Sequence, residues 1–116
     1  MRDFRKYEIW QTGMTIVSST YTLLHSLPDS EKYGLRSQIS RSAVSIPSNI
    51  AEGCSRESEK DFKRFLEYSL GSCFELETQF LICIQNQFTN TEKTNNLLLE
   101  IKKLQKQIVT LIKKLN

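Results

Sequence analysis

The sequence predicts an all-α fold, an up-down-up-down four-helix bundle whose second helix carries a proline kink. Four long segments repeat apolar residues at three- and four-residue spacing, the period of one helix face. Only four Gly and two Pro interrupt the 116 residues, which leaves room for three or four turns and disfavours many short strands. Capping residues and a Leu-Pro stop stand between the segments. The length suits one domain, residues 1–116, with one core.

The first helix is expected over residues 6–26. Trp10, Met14, Val17, Tyr21 and Leu24 form its apolar stripe, broadened by Ile9, Ile16 and Leu23. Gly13 costs about 1 kcal/mol in a helix interior, so it marks a close contact with a neighbouring helix. Leu27-Pro28-Asp29-Ser30 ends the segment, because a residue before proline avoids the helical region.

The second helix is expected over 33–52, buried along Leu35, Ile39, Ala43, Ile46 and Ile50. Pro47 falls at its middle, where any other residue is about 3 kcal/mol better. Such a proline must be held by its neighbours. It removes the bond that would reach the Ala43 carbonyl, and the Ser45 and Ser48 hydroxyls are the nearby compensators. Gly53 is expected to supply a left-handed cap.

Ser58 and Asp61 form a capping box that opens the third helix, expected over 59–87 and roughly 45 Å long. This helix carries two stripes. Phe62, Leu66, Ser69, Cys73, Leu76, Phe80 and Cys83 make one, and Phe65, Leu70, Phe74, Leu81, Ile84 and Phe88 the other. A helix apolar on two sides has more to hide than three partners in one small bundle cover. Phe65, Leu70, Phe74, Leu81 and Ile84 are therefore read as an interface between copies of the chain.

The fourth helix is expected over 91–114, after capping residues at Thr89-Asn90-Thr91-Glu92. Leu97, Ile101, Leu104, Ile108, Leu111 and Leu115 keep an unbroken four-three spacing. From Thr91 onward six lysines face only Glu92 and Glu100, whereas the third helix is two charges negative. The whole chain carries a net +3, mildly basic and far from a histone-like polycation.

No apolar run reaches signal-peptide or membrane-spanning length, which leads us to expect a soluble, cytoplasmic chain with no membrane partner. Cys54, Cys73 and Cys83 form no C-x-x-C pair and are expected as buried thiols in a reducing compartment.

The run Ser45-Ile46-Pro47, Asn49-Ile50-Ala51-Glu52-Gly53, together with Tyr33-Gly34-Leu35, Ser37-Gln38-Ile39, Arg41 and Arg56, resembles a four-helix-bundle family encoded in intervening sequences of bacterial 23S ribosomal RNA genes. Phe65-Leu66, Leu70-Gly71-Ser72 and Glu75-Leu76-Glu77-Thr78-Gln79 are similar to its third helix. The family extends to accessory proteins of diversity-generating retroelements. The resemblance implies a homopentamer with a positively charged barrel that binds nucleic acid (RNA or DNA) or a reverse transcriptase, without catalysis. It also marks Ser45, Pro47, Asn49, Glu52 and Gly53 as the structural motif.

Catalytic constellations are absent from the sequence: no nucleophile elbow, glycine-rich phosphate loop or zinc spacing occurs. His25, the single histidine, ends the first helix, where it reads as a cap rather than a base. Glu52, Glu57, Glu59 and Asp61 cluster near one turn, yet carboxylates at a helix start answer the helix dipole. No catalytic residue, metal or cofactor is expected. The nucleic-acid candidates are Arg36, Arg41, Arg56, Lys60, Lys63 and Arg64 around the second helix, and Lys102, Lys103, Lys106, Lys113 and Lys114 on the fourth. The alternative for the lysines is a solvated face that pairs with glutamates of the third helix, in the same or a neighbouring subunit. Arg41 and Glu52 have a second reading as buried or interfacial ion pairs that fix register. Trp10, Tyr21, Phe62 and Phe80 stand at core spacing, so binding is expected to read phosphate and shape rather than bases. The competing functional class is a protein–protein scaffold that touches no nucleic acid.

Overall fold

In the computed structural model, which describes residues 2–115, four helices follow one another: α1 (Glu8–Leu24), α2 (Leu35–Cys54), α3 (Glu59–Gln85) and α4 (Thr91–Lys114). Single 3-10 turns at Phe4–Lys6 and Asp29–Glu31 precede α1 and α2. Helix α1 packs on α2, α2 on α3, α3 on α4, and α4 back on α1, so α2 and α4 stand at diagonal corners. The bundle is elongated, 43 × 24 × 19 Å, as its longest helix dictates.

Local chemistry sets the ends. Ser58 accepts the Asp61 amide at 3.1 Å and Asn90 accepts the Lys93 amide at 2.8 Å, so each satisfies an otherwise orphan donor. Beyond α3, Gln87 takes a left-handed φ of 58°. The Phe88 amide then donates to the Cys83 carbonyl at 2.9 Å and the Gln87 amide to Ile84 at 3.1 Å, a Schellman closure.

The first-helix stripe differs from expectation. Its buried residues are Ile9, Gly13, Ile16, Thr20, Leu23 and Leu24, whereas Met14 and Tyr21 are exposed. A glycine and a threonine on the core side made that face look less apolar than its neighbour. Gly13 is there for space: a Cβ on it would touch Ile46 at 3.4 Å and the Pro47 ring at 3.5 Å. Pro47, buried inside α2, is thus held against the bare backbone of α1.

Gly53 also departs from expectation. Helix α2 runs on through Cys54, and no glycine among the described residues has a positive φ. The left-handed residue is Gln87 instead. Gly53 is small because α3 is close: a Cβ would meet Phe65 Cβ at 2.8 Å and the Phe62 ring at 3.2 Å. Around Pro47, Ser45 Oγ donates to the Arg41 carbonyl at 2.8 Å, Asn49 Nδ2 to the Ser45 carbonyl at 2.9 Å, and the buried Ser69 Oγ of α3 to the Ile46 carbonyl at 2.9 Å. The Ser45 hydroxyl therefore serves Arg41 rather than the Ala43 carbonyl.

Candidate nucleic-acid interface

The sequence-selected cations fall into three places. At the α2–α3 end, Arg56 pairs with Glu52 at 3.6 Å and Arg64 with Asp61 at 3.4 Å. Both guanidiniums also lie over the Phe65 ring, at 4.9 and 5.7 Å. Arg2 completes this corner, 4.2 Å from the Phe62 ring centre and donating to the Arg56 carbonyl at 2.9 Å. Much of this cluster's charge is therefore answered locally, while Lys60 is exposed and Lys63 half-buried beside it.

Along α2, Arg36 is half-buried and its Nη2 donates to the Leu27 carbonyl at 3.0 Å, tying the loop to the helix. Arg41 is exposed and its Nη2 donates to Ser37 Oγ at 3.0 Å. Glu52 is exposed too, so neither Arg41 nor Glu52 forms a buried ion pair within the chain.

On α4, Lys102, Lys103, Lys106, Lys113 and Lys114 are exposed, and among the described residues none of the five forms an ion pair. The inter-helix partner of Glu77 is Gln105, whose Nε2 donates to it at 2.7 Å. Lys103, Lys106 and Lys114 line a 410 Å³ groove between α4 and α1, with Tyr7, Glu8 and Gln107. The α2 arginines stand apart from this groove, on the helix diagonal to α4.

The residues expected at a subunit interface divide. Phe65 is buried inside its own chain, drawn in where Gly53 leaves space. It therefore drops out of the outward face. Leu70 and Ile84 are half-buried, whereas Phe74 and Leu81 are 52% and 48% exposed. Tyr68 and Ile82 extend the exposed apolar surface of α3.

One group escaped the sequence reading. Tyr21, assigned to the core by spacing, is exposed, and Tyr33 stands out at 88%. Both line a depression between α1 and α2 with His25, Lys32 and Arg36. The signal was present in the alternation of tyrosines with cations at Lys32-Tyr33 and Arg36, three residues on.

The remaining chemistry is quiet. His25 ends α1, its amide donating to the Thr22 carbonyl at 3.4 Å. All three cysteines are free and buried. Desolvation pushes the Cys73 thiol up to about 12, with Glu77 adding to it, and Cys83 up to about 11. Burial also raises Cys54. Such thiols are poor nucleophiles at neutral pH. No cluster of three His, Cys, Asp or Glu among the described residues is placed to hold a metal, and no described helix is long and apolar enough to cross a membrane.

These features define an all-α four-helix protein with basic surface grooves. A family profile described as 23S rRNA-intervening sequence protein matches residues 5–110, and the chain belongs to that family. A solved structure similar to it is a protein of unknown function from the S23 ribosomal protein family of Bacteroides thetaiotaomicron VPI-5482, 23% identical, with a TM-score of 0.84. The alignment covers 90% of this chain and 98% of that one, and shows the shared fold. No curated protein matches the chain.

Proposed function

We propose that this chain is a non-enzymatic, self-assembling accessory protein that binds nucleic acid, ribosomal RNA or a retroelement ribonucleoprotein being the first candidates. The observation that carries this reading is the set of five exposed α4 lysines with no carboxylate partner among the described residues. The competing account of these lysines is a solvated face that pairs with α3 glutamates of the same or a neighbouring subunit; within the chain, Glu77 takes Gln105 rather than a lysine as its α4 partner. Phosphates are the natural counter-charge for such a row.

Self-association rests on Phe74 and Leu81, apolar and half-exposed on the outer side of α3. Covering them with a second copy completes the burial that one bundle leaves undone. A ring of five repeats each +3 chain around an axis, and several weak contacts then act at once.

Titrating the purified assembly into structured RNA and duplex DNA at several salt concentrations tests the reading. Affinity that falls log-linearly with salt, with a shallower slope in a Lys103→Glu, Lys106→Glu variant, is the expected result. Flat baselines at low salt favour the protein–protein scaffold. The partner is then another protein, such as a reverse transcriptase.

A further inference from the structure

The geometry points to a second binding site, a trough between α1 and α2 that takes single-stranded nucleic acid with its bases stacked on Tyr21 and Tyr33. The inference rests on the proposed nucleic-acid reading and adds to it a ligand class and a site away from α4. Two adjoining depressions, of 380 and 460 Å³, share Tyr21, Ser37 and Ser40 and so form one trough along the outer side of α2. Each falls in the size range of small-ligand sites.

Its lining is of one sign. Lys32, Arg36 and Arg41 contribute cations, and no carboxylate lines either depression. The cations are also held in place. Arg36 is anchored on the Leu27 carbonyl and Arg41 on the Ser37 hydroxyl, while the Lys32 ammonium lies 5.4 Å from the Tyr33 ring centre. Anchored guanidiniums lose little freedom on meeting a phosphate.

The tyrosines decide the ligand class. A duplex hides its base faces and offers only backbone and groove edges, so two exposed rings between cations have no use for it. A single strand presents both a phosphate line and free base faces, and stacking on an aromatic ring tolerates any sequence. Neither ring is required by the core: Tyr33 is 88% and Tyr21 48% exposed. The α4 groove offers lysines with Tyr7 only half-buried beside them, and reads as a backbone site.

The test uses the full chain with three probes at low and moderate salt: an oligouridylate, an abasic oligomer of equal length and a duplex RNA. Tyr21→Ala and Tyr33→Ala are each expected to weaken the oligouridylate by at least about fivefold, with duplex affinity unchanged. Tyr21→Phe and Tyr33→Phe, which keep the ring, should bind like the parent. The abasic oligomer should bind the parent about as weakly as the alanine variants bind the oligouridylate. Equal affinity for abasic and base-bearing strands, or alanine variants that bind the oligouridylate like the parent, overturns the stacking trough and leaves the α4 reading standing. No binding of any probe at low salt overturns both.

Discussion

Gly53 of α2 lies so close to Phe65 of α3 that a Cβ on the glycine would stand 2.8 Å from the Cβ of the phenylalanine. The Phe62 carbonyl, 3.4 Å away, blocks the other escape. Backbone on one side and a Cβ on the other leave no flexible tip to swing aside. Gly53→Ala gains about 1 kcal/mol of helix propensity, but overpacking a tight contact costs about 1–3 kcal/mol. We expect a net loss of stability in urea and thermal melts, and a midpoint equal to or above the parent's would contradict the packing.

Gly71 is the matched control. It too lies inside a helix, yet nothing stands within 4 Å of the Cβ it would acquire. Gly71→Ala should therefore stabilise by about 0.5–1 kcal/mol, opposite in sign to the same change at position 53. Dilute samples isolate the single bundle. A loss of stability that appears only at high concentration would place Gly71 under a second copy.

Gln87 pays for its left-handed φ of 58°. An L-residue there costs about 1–2 kcal/mol; a glycine removes that cost, and its more flexible unfolded chain offsets part of the gain. Gln87→Gly is expected to raise stability by about 0.5–1 kcal/mol, and Gln87→Val to lower it. Calorimetric midpoints for the three proteins decide the matter, and identical midpoints would mean that the turn relaxes.

How much of this was legible in the sequence depended on whether a residue's role was local or mutual. The caps at Ser58 and Asn90, the core stripe from Phe62 to Cys83 and the α4 heptads follow from spacing alone. Gly13 was legible as a close helix contact, though not what it meets; Gly53 was not, because its meaning lies in the helix opposite, not in its own turn. The α1 stripe slid by one position for the same reason: Gly13 and Thr20 look out of place on a core face, and only the Pro47 ring opposite explains the glycine. That slip hid Tyr21, and with it the trough. Phe65 was misassigned to the outer face because sequence cannot show that Gly53 opens a recess for it.

Phe74→Glu with Leu81→Glu tests the outer face of α3. Both side chains are about half exposed, so charge there costs the isolated bundle little. In an assembly it would be buried unpaired, at a cost of several kcal/mol. Light scattering should show the mass falling toward one chain while far-ultraviolet circular dichroism holds. A mass unchanged by both charges would remove this face from any interface.

The buried thiols give the bundle an alkaline weakness whose sign is fixed by their surroundings. Desolvation lifts Cys73 to about 12 and Cys83 to about 11, against 9.0 for an exposed thiol. Below pH 9 the folded and unfolded chains both keep these protons, and the thiols cost nothing. As pH rises further, the unfolded chain releases them and the folded chain does not, so stability drains away by about 1.4 kcal/mol per pH unit for each thiol. The fall from Cys83 continues to about 11 and that from Cys73 to about 12. Cys73→Ala should lower the plateau through a small cavity, yet flatten the alkaline slope by one thiol's share. Urea midpoints between pH 8 and 10.5 give that slope directly, and an unchanged slope in the variant would mean that Cys73 ionises in the folded bundle as readily as in water.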